Sequence, residues 1–286
     1  MRFVAPGKVV VLGEYAVLDG VPAIVSAVES GVACAYTPGG ALETSADVGD
    51  TTFVDAALEA AEAPPGHYAF TSHLPPVTDT KPGLGGSAAA TVVATFAARA
   101  LRGASTDADA VFRQAYEVHH AVQGSGSGVD VAASTLGGVL RYVRGEPGIA
   151  LPSVDLVVVW SGQSAKTGPR VAQYQAWGDR DAFLAASADA VARFADAPIA
   201  ALRDAGDALR AMSAAAGIDY ETPALAEIAA LATRFGGAGK PSGAGGGDCA
   251  IAVLPDDDAR AGFEAACKAA GYAILSSRPA AGVRRL

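Results

Sequence analysis

The chain has 286 residues, 51% hydrophobic and 18% charged, a balance that supports one large or two modest globular domains and excludes a disordered chain. A formal net charge of −9 argues against nucleic acid or an anionic membrane surface as the main partner, so an anionic substrate has to be met by local cations or a metal. Cys34, Cys249 and Cys267 have no metal-ligand spacing, and neither an apolar leader nor a membrane-length apolar run is apparent. The expectation is a soluble cytoplasmic protein.

The opening is β-rich. Residues 2–12 read as a buried strand interrupted at Pro6-Gly7, followed by a turn at Asp19-Gly20 and strands over 21–28 and 31–36. Lys8 lies inside the apolar run, where an ammonium either meets an anion or snorkels from the strand end. A short helix over 55–62, a break at Pro64-Pro65-Gly66 and a strand over 67–74 follow, with His67 and His73 as ordinary strand residues. Gly83-Leu84-Gly85-Gly86 then releases an Ala-rich helix of about four turns from Ser87 to Leu101. A helix leaving a glycine loop offers unpaired N–H groups and a positive dipole end, so this stretch is either a tight turn or a phosphate cradle. No Gly-Lys-Ser/Thr ends the loop, which excludes the Walker pattern.

Ser105-Thr106-Asp107 signals the N-cap of a helix over 108–122. His119 and His120, near Glu117, point about 100° apart on that helix, which suits one packed and one solvated imidazole better than a metal pair. Five small residues then lead to Asp130, either the cap of a helix over 131–136 or an acid in a glycine-lined pocket. Strands are predicted over 139–143 and 156–160, a polar loop over 161–168 carrying Lys166, with Arg170 just beyond, and helix over 171–177, 181–216 and 225–235. A second glycine loop, 236–248, precedes a strand over 249–254, a helix over 256–270 and a closing strand over 272–275. The domain boundary is placed near residue 150.

Three glycine-rich segments, at 6–14, 81–90 and 236–248, are hard to explain as turns alone. Pro6-Gly7-Lys8 through Gly13-Glu14-Tyr15-Ala16-Val17, then Gly83-Leu84-Gly85-Gly86-Ser87-Ala88-Ala89, then Lys240-Pro241-Ser242-Gly243-Ala244-Gly245-Gly246-Gly247-Asp248 resemble the three motifs of the GHMP kinases, in order and spacing. The resemblance implies a two-domain α+β protein. Residues 1–150 would form a β-rich N-terminal domain with the phosphate-binding helix, and 151–286 a ferredoxin-like C-terminal domain, with the active site between them. It also implies a left-handed β-α-β crossover, against the usual chirality. Within the family the third motif, Lys81 and Trp160-Ser161-Gly162 look most like phosphomevalonate kinases. Two departures stand out. Gly86 occupies the place of the family's first loop Ser, and His119 occupies that of a metal-binding Glu, leaving Glu117 as the nearest carboxylate.

What the resemblance implies for chemistry is phosphoryl transfer from ATP with Mg²⁺, achieved by positioning and charge neutralisation. Asp130 would be the catalytic base and Lys8 would hold it ionised. Lys81, Gly83, Leu84, Gly85, Gly86, Ser87 and Ala88 would bind the nucleotide, and Ser87 and Glu117 the metal. Glu14, Tyr15, Ser127, Gly128, Lys166, Ser242, Gly243, Ala244 and Gly245 would bind the acceptor, with Arg170 as a further loose cation. The implied acceptor is phosphomevalonate, with mevalonate as the alternative, handled by a monomer or homodimer. A diphosphomevalonate decarboxylase and a non-catalytic sensor of the same fold are the remaining readings.

Overall fold

The computed structural model describes residues 1–47, 49–73 and 82–286; Lys81 therefore lies outside the described residues. The first half runs β1 (Arg2–Leu12), β2 (Ala23–Pro38), β3 (Leu42–Ala46), α1 (Thr52–Ala60), β4 (Gly66–His73), α2 (Gly86–Leu101), α3 (Ala108–Gln123), α4 (Val129–Leu136), β5 (Val139–Tyr142) and β6 (Ile149–Leu151). The second half continues with β7 (Val157–Trp160), α5 (Thr167–Ala176), α6 (Asp181–Arg193), α7 (Pro198–Ala216), α8 (Pro223–Arg234), β8 (Ala238–Pro241), β9 (Cys249–Val253), α9 (Asp257–Ala269), β10 (Ala273–Leu275) and β11 (Arg284–Arg285). No helix among the described residues is long and apolar enough to cross a membrane.

The first sheet has the order β11-β1-β2-β4-β3, with β5 also on β2 and β6 on β5. Its pairs are antiparallel except β3 with β4, which are parallel and joined through α1. The two strands expected over 21–28 and 31–36 are one continuous strand, β2. The register against β1 shifts from Pro6↔Gly31 to Gly7↔Val28, so Glu29 and Ser30 bulge out and bend β2 without ending it. That bend lets one strand serve two partners on the same side: its first part pairs with β5 and its second with β4. At the matching kink in β1, the Pro6 carbonyl accepts from the buried Ser134 hydroxyl of α4 at 2.8 Å, which docks α4 onto the strand.

β1 is apolar on both sides because both sides are covered. Side chains alternate along a strand, and here Val10 joins the cluster under α2, α3 and α4, while Val9 and Val11 join the one that holds Val158 and Ile251 of the second sheet. Helix α2 is Ala-rich for a related reason. It packs against α1, α3, α4, β1 and β2, and small residues such as Ala88, Ala89 and Ala97, all fully buried, allow those close approaches.

The second sheet has the order β10-β7-β9-β8, antiparallel throughout. Numbered within this half, that is the 4-1-3-2 order of a β-α-β-β-α-β ferredoxin-like layer, with four helices in its first crossover. Val157 and Val159 face the α8–α9 side and Val158 faces α6 and α7. The helical stretch expected over 181–216 is two helices, because Pro198 can open α7 but cannot lie inside a longer one. The chain does not finish at its expected last strand. Its tail crosses to the first sheet, bridging Val28 to Pro279 and Gly137 to Ala281, and β11 pairs with β1.

Gly7 sits in the β1 kink, where a methyl group would fall 2.2 Å from Ser30 O and 2.5 Å from Leu84 O, both backbone atoms. Gly7→Ala is therefore expected to lower stability by about 1–3 kcal/mol in urea denaturation. Gly178→Ala, with open space around it, is the control and is expected to change stability by under about 0.5 kcal/mol.

Candidate active site

A cleft of about 910 Å³ lies between the two halves and is reached by all three glycine segments. Its floor is the start of α2. Gly85 is the N-cap in a left-handed conformation, φ 78°, with no side-chain cap. The first bond of the helix is Ala89 N–H to Gly85 O at 3.0 Å, so the amides of Gly86, Ser87 and Ala88 have no backbone acceptor among the described residues. Those amides, at the positive end of a sixteen-residue helix, make a ready anion site. A methyl group on Gly86 would meet nothing within 4 Å; glycine there in place of the family's serine leaves the helix end uncovered.

The loop before α2 is gripped by the other two segments. Lys8 donates its backbone N–H to Leu84 O at 2.8 Å and its ammonium to Gly83 O at 3.2 Å. Cys249 Sγ donates to Pro82 O at 3.3 Å, and the Asp248 carboxylate lies so close to Gly83 that a methyl group there would fall 2.3 Å from it. Above the loop, a methyl group on Gly85 would sit 3.0 Å from Lys8 Cγ and 3.6 Å from Asp130 Cβ. Lys8, Gly85 and Asp130 thus meet at one point.

Asp130 is not a cap. Gly128, φ 78°, is the N-cap of α4, and Asp130 falls in the first turn with Oδ1 accepting from Val131 N–H at 3.0 Å. Its other oxygen has no partner among the described residues. Lys8 and Asp130 flank Gly85 without forming an ion pair, since the ammonium turns to Gly83 O.

The two metal candidates separate. Ser87 lines the cleft in the first turn of α2, its Oγ 3.3 Å from His119 Nε2. Glu117 is exposed on the other side of α3 and does not line the cleft, because two residues of helix turn it away from the face that His119 presents. His119 is buried and packs its ring on Phe53, 5.2 Å between centroids, whereas His120 is exposed. Burial pushes the His119 pKa down, against the pull of the Asp130 charge, so a neutral imidazole faces the Ser87 hydroxyl. No group of three metal-ligating side chains occurs among the described residues.

Several acceptor-site candidates turn out to hold the segments together. Glu14 and Lys240 are both buried and joined in an ion pair; Lys240 Nζ also donates to Pro241 O at 3.0 Å. Burial pushes the Glu14 pKa up and that of Lys240 down, each opposed by the partner's charge. Ser242 Oγ takes Val10 N–H at 3.0 Å and gives its proton to Val10 O at 2.9 Å, tying the third glycine segment to β1. Tyr15 donates to Ala244 O at 2.6 Å. Gly245 packs under Tyr220 and Gly128 under Tyr116, and neither lines the cleft, while Ser127, Gly243 and Ala244 do. Lys166 is exposed and off the cleft wall. Arg170, expected as a loose cation, donates to Asp219 O and Lys166 O, both at 2.9 Å, and lies across Gly246. Lys8 is then the cation on the described cleft wall, which also carries Glu14, Asp47, Asp50, Asp130 and Asp248.

The cleft lining also has an apolar part, formed by Val32, Phe53, Val54, Phe70 and Ala90, and it includes Asp47 and Asp50. Sequence reasoning missed this apolar part, whose residues come from two separate strands, α1 and α2, and missed Asp248, although it closes the third motif.

Comparison with known proteins agrees with the fold. The model of the GHMP kinases N terminal domain matches residues 51–138, and that of the GHMP kinases C terminal matches residues 198–273. A mevalonate kinase from Aeropyrum pernix is 30% identical, with 99% of this chain and 97% of that protein covered. A phosphomevalonate kinase from a Streptomyces species is 28% identical over 90% of each. Among solved structures, a Listeria innocua protein superposes with a TM-score of 0.89 at 25% identity, covering 99% of this chain and 98% of that one. A Streptococcus pneumoniae phosphomevalonate kinase in complex with phosphomevalonate and AMPPNP gives 0.80 at 20% identity, covering 100% and 99%.

The Glu14–Lys240 pair makes the site's dependence on its internal ties measurable. Lys240→Met leaves a buried carboxylate uncompensated and is expected to cost about 3–5 kcal/mol in chemical denaturation. The double variant Glu14→Gln/Lys240→Met, which removes both charges, is expected to recover more than half of that loss.

Proposed function

This chain belongs to the GHMP kinase family, and from that premise we propose that it transfers the γ-phosphate of ATP to phosphomevalonate. The observation that carries the phosphoryl-transfer reading is the meeting of Lys8, Gly85 and Asp130 directly over three unpaired amides of α2. The amides of Gly86, Ser87 and Ala88 would take phosphate oxygens of the nucleotide. Lys8, already anchored to the loop at Gly83, would face the transferred group and offset charge that develops there. Asp130, with one carboxylate oxygen unpartnered among the described residues, would orient the attacking oxygen and take its proton when it carries one. The apolar part of the cleft lining suits the base of the nucleotide.

A hydroxyl in the first turn of the phosphate-binding helix fits a magnesium ion held mainly by the nucleotide itself. Ser87 would be its protein ligand, and the ion would supply charge neutralisation at the phosphates. Glu117, exposed on α3, has no part in this.

Phosphomevalonate as acceptor is supported by the third motif, Lys240 through Cys249, and by the similarity to the Streptomyces phosphomevalonate kinase. Lys81, which the resemblance assigns to the nucleotide, is also the cation proposed to reach the acceptor's phosphate. Mevalonate is the second reading, and one observation favours it: Lys8 is the cation on the described cleft wall, whereas a phosphorylated acceptor brings more negative charge. The similarity to the Aeropyrum mevalonate kinase points the same way.

The test is turnover with MgATP on each acceptor in parallel. The expected result is a kcat/KM at least about tenfold higher for phosphomevalonate, the difference one charge-assisted phosphate contact makes. The reverse preference assigns mevalonate, and carbon dioxide among the products assigns a decarboxylase. On whichever acceptor is turned over, Asp130→Asn should lower kcat by about 10²–10⁴ with nucleotide affinity within a few-fold of wild type. A kcat within threefold of wild type would remove Asp130 from the chemistry.

A further inference from the structure

Asp248 has no part in the chemistry above, yet its surroundings are unusual for a loop residue. Its φ of 57° is left-handed, a conformation that strains a residue with a Cβ and that persists where the surroundings over-determine it. Three hydrogen bonds do so here. Its N–H donates to Gln163 O at 2.7 Å, its carbonyl accepts from Ser161 N–H at 2.9 Å, and its Oδ1 accepts from Ala165 N–H at 3.0 Å. All three run to the turn between β7 and α5, which with the first residues of α5 gives Ser164, Ala165, Thr167 and Gly168 to the cleft wall. The other side of the carboxylate rests on Gly83 of the phosphate loop, where even a methyl group would fall 2.3 Å from Oδ2. Asp248 therefore touches both walls of the cleft at once. Its neighbour Cys249 reinforces the contact through Pro82 O.

Among the described residues, nothing soft lies between the two walls at this point. A shift of Gly83 toward the third loop has to displace the Asp248 carboxylate, and that carboxylate cannot move without carrying Ala165 or breaking its bond. Close-packed, hydrogen-bonded contacts of this kind pass displacement on instead of absorbing it. We infer that Asp248 is a positioning residue that couples the two walls, so that a nucleotide seated on the phosphate loop orders the 161–168 turn. By linkage, an occupant held against that turn tightens nucleotide binding by the same factor. The inference rests on the nucleotide site proposed at α2, and it does not depend on which acceptor the enzyme uses.

Hydrogen–deuterium exchange on the full chain, with and without Mg²⁺ and a non-hydrolysable ATP analogue, reads the coupling directly. In wild type the analogue is expected to slow exchange at the start of α2 and, by about threefold or more, over 161–168. In Asp248→Ala the protection at α2 should persist while that over 161–168 disappears. Asp248→Asn keeps a side-chain oxygen for Ala165 N–H and should retain most of the 161–168 protection, which separates loss of the contact from general loosening. Protection of α2 without protection of 161–168 in wild type overturns the coupling alone. Undiminished 161–168 protection in Asp248→Ala also overturns it. Protection at neither segment overturns the nucleotide site and the coupling together.

Discussion

Lys8 holds the phosphate loop by two bonds, its amide to Leu84 O and its ammonium to Gly83 O, and the rest of the cleft is arranged around that grip. The kink at Pro6-Gly7 is what lets the strand edge reach the loop, and Gly7 is in the kink because two backbone carbonyls leave no room for a Cβ. The same kink frees the Pro6 carbonyl for Ser134 and so docks α4, which carries Asp130. One irregularity in one strand thus places the lysine, the loop and the carboxylate together. The positive charge that an acidic chain lacks overall is supplied locally, by this lysine and by the open amides at the start of α2.

The third glycine segment acts as the fastener between the halves. Ser242 continues the β1 backbone by bonding both polar groups of Val10, Lys240 neutralises Glu14 in the interior, and Asp248 and Cys249 press on Gly83 and Pro82. These contacts explain why the motif combines tight turns with a buried cation. A buried ammonium is tolerated only with a paired anion and further acceptors, and Glu14 with Pro241 O supplies them. Glu14, Ser242 and Gly245, which the resemblance assigns to the acceptor, thus make contacts between the segments that form the cleft.

Much of this was legible in the sequence because glycine loops and apolar runs carry strong local signals. The start of α2 and the ends of α3 and α9 follow from them, whereas the ferredoxin-like second half was implied by the resemblance of the three motifs to the GHMP kinases. Other features depend on partners distant in the chain. β2 reads as two strands because its bulge at Glu29-Ser30 resembles a turn, and only the register against β1 shows that it continues. The two residues of β11 are arginines, with no strand signal, and are held there by β1. Arg170 looked like a free cation because the carbonyls that occupy it belong to Asp219 and Lys166. Glu117 and His119 were separated by helix phase alone, and the phase puts the histidine inward.

The central claim is that the open amides of α2, under the Lys8–Gly85–Asp130 junction, are the seat of the triphosphate. A crystal structure of the protein with Mg²⁺ and a non-hydrolysable ATP analogue tests it most directly. The account predicts β- or γ-phosphate oxygens about 3 Å from the amides of Gly86, Ser87 and Ala88, with the γ-phosphate on the side of Lys8 and Asp130. A triphosphate bound away from the start of α2 would contradict it.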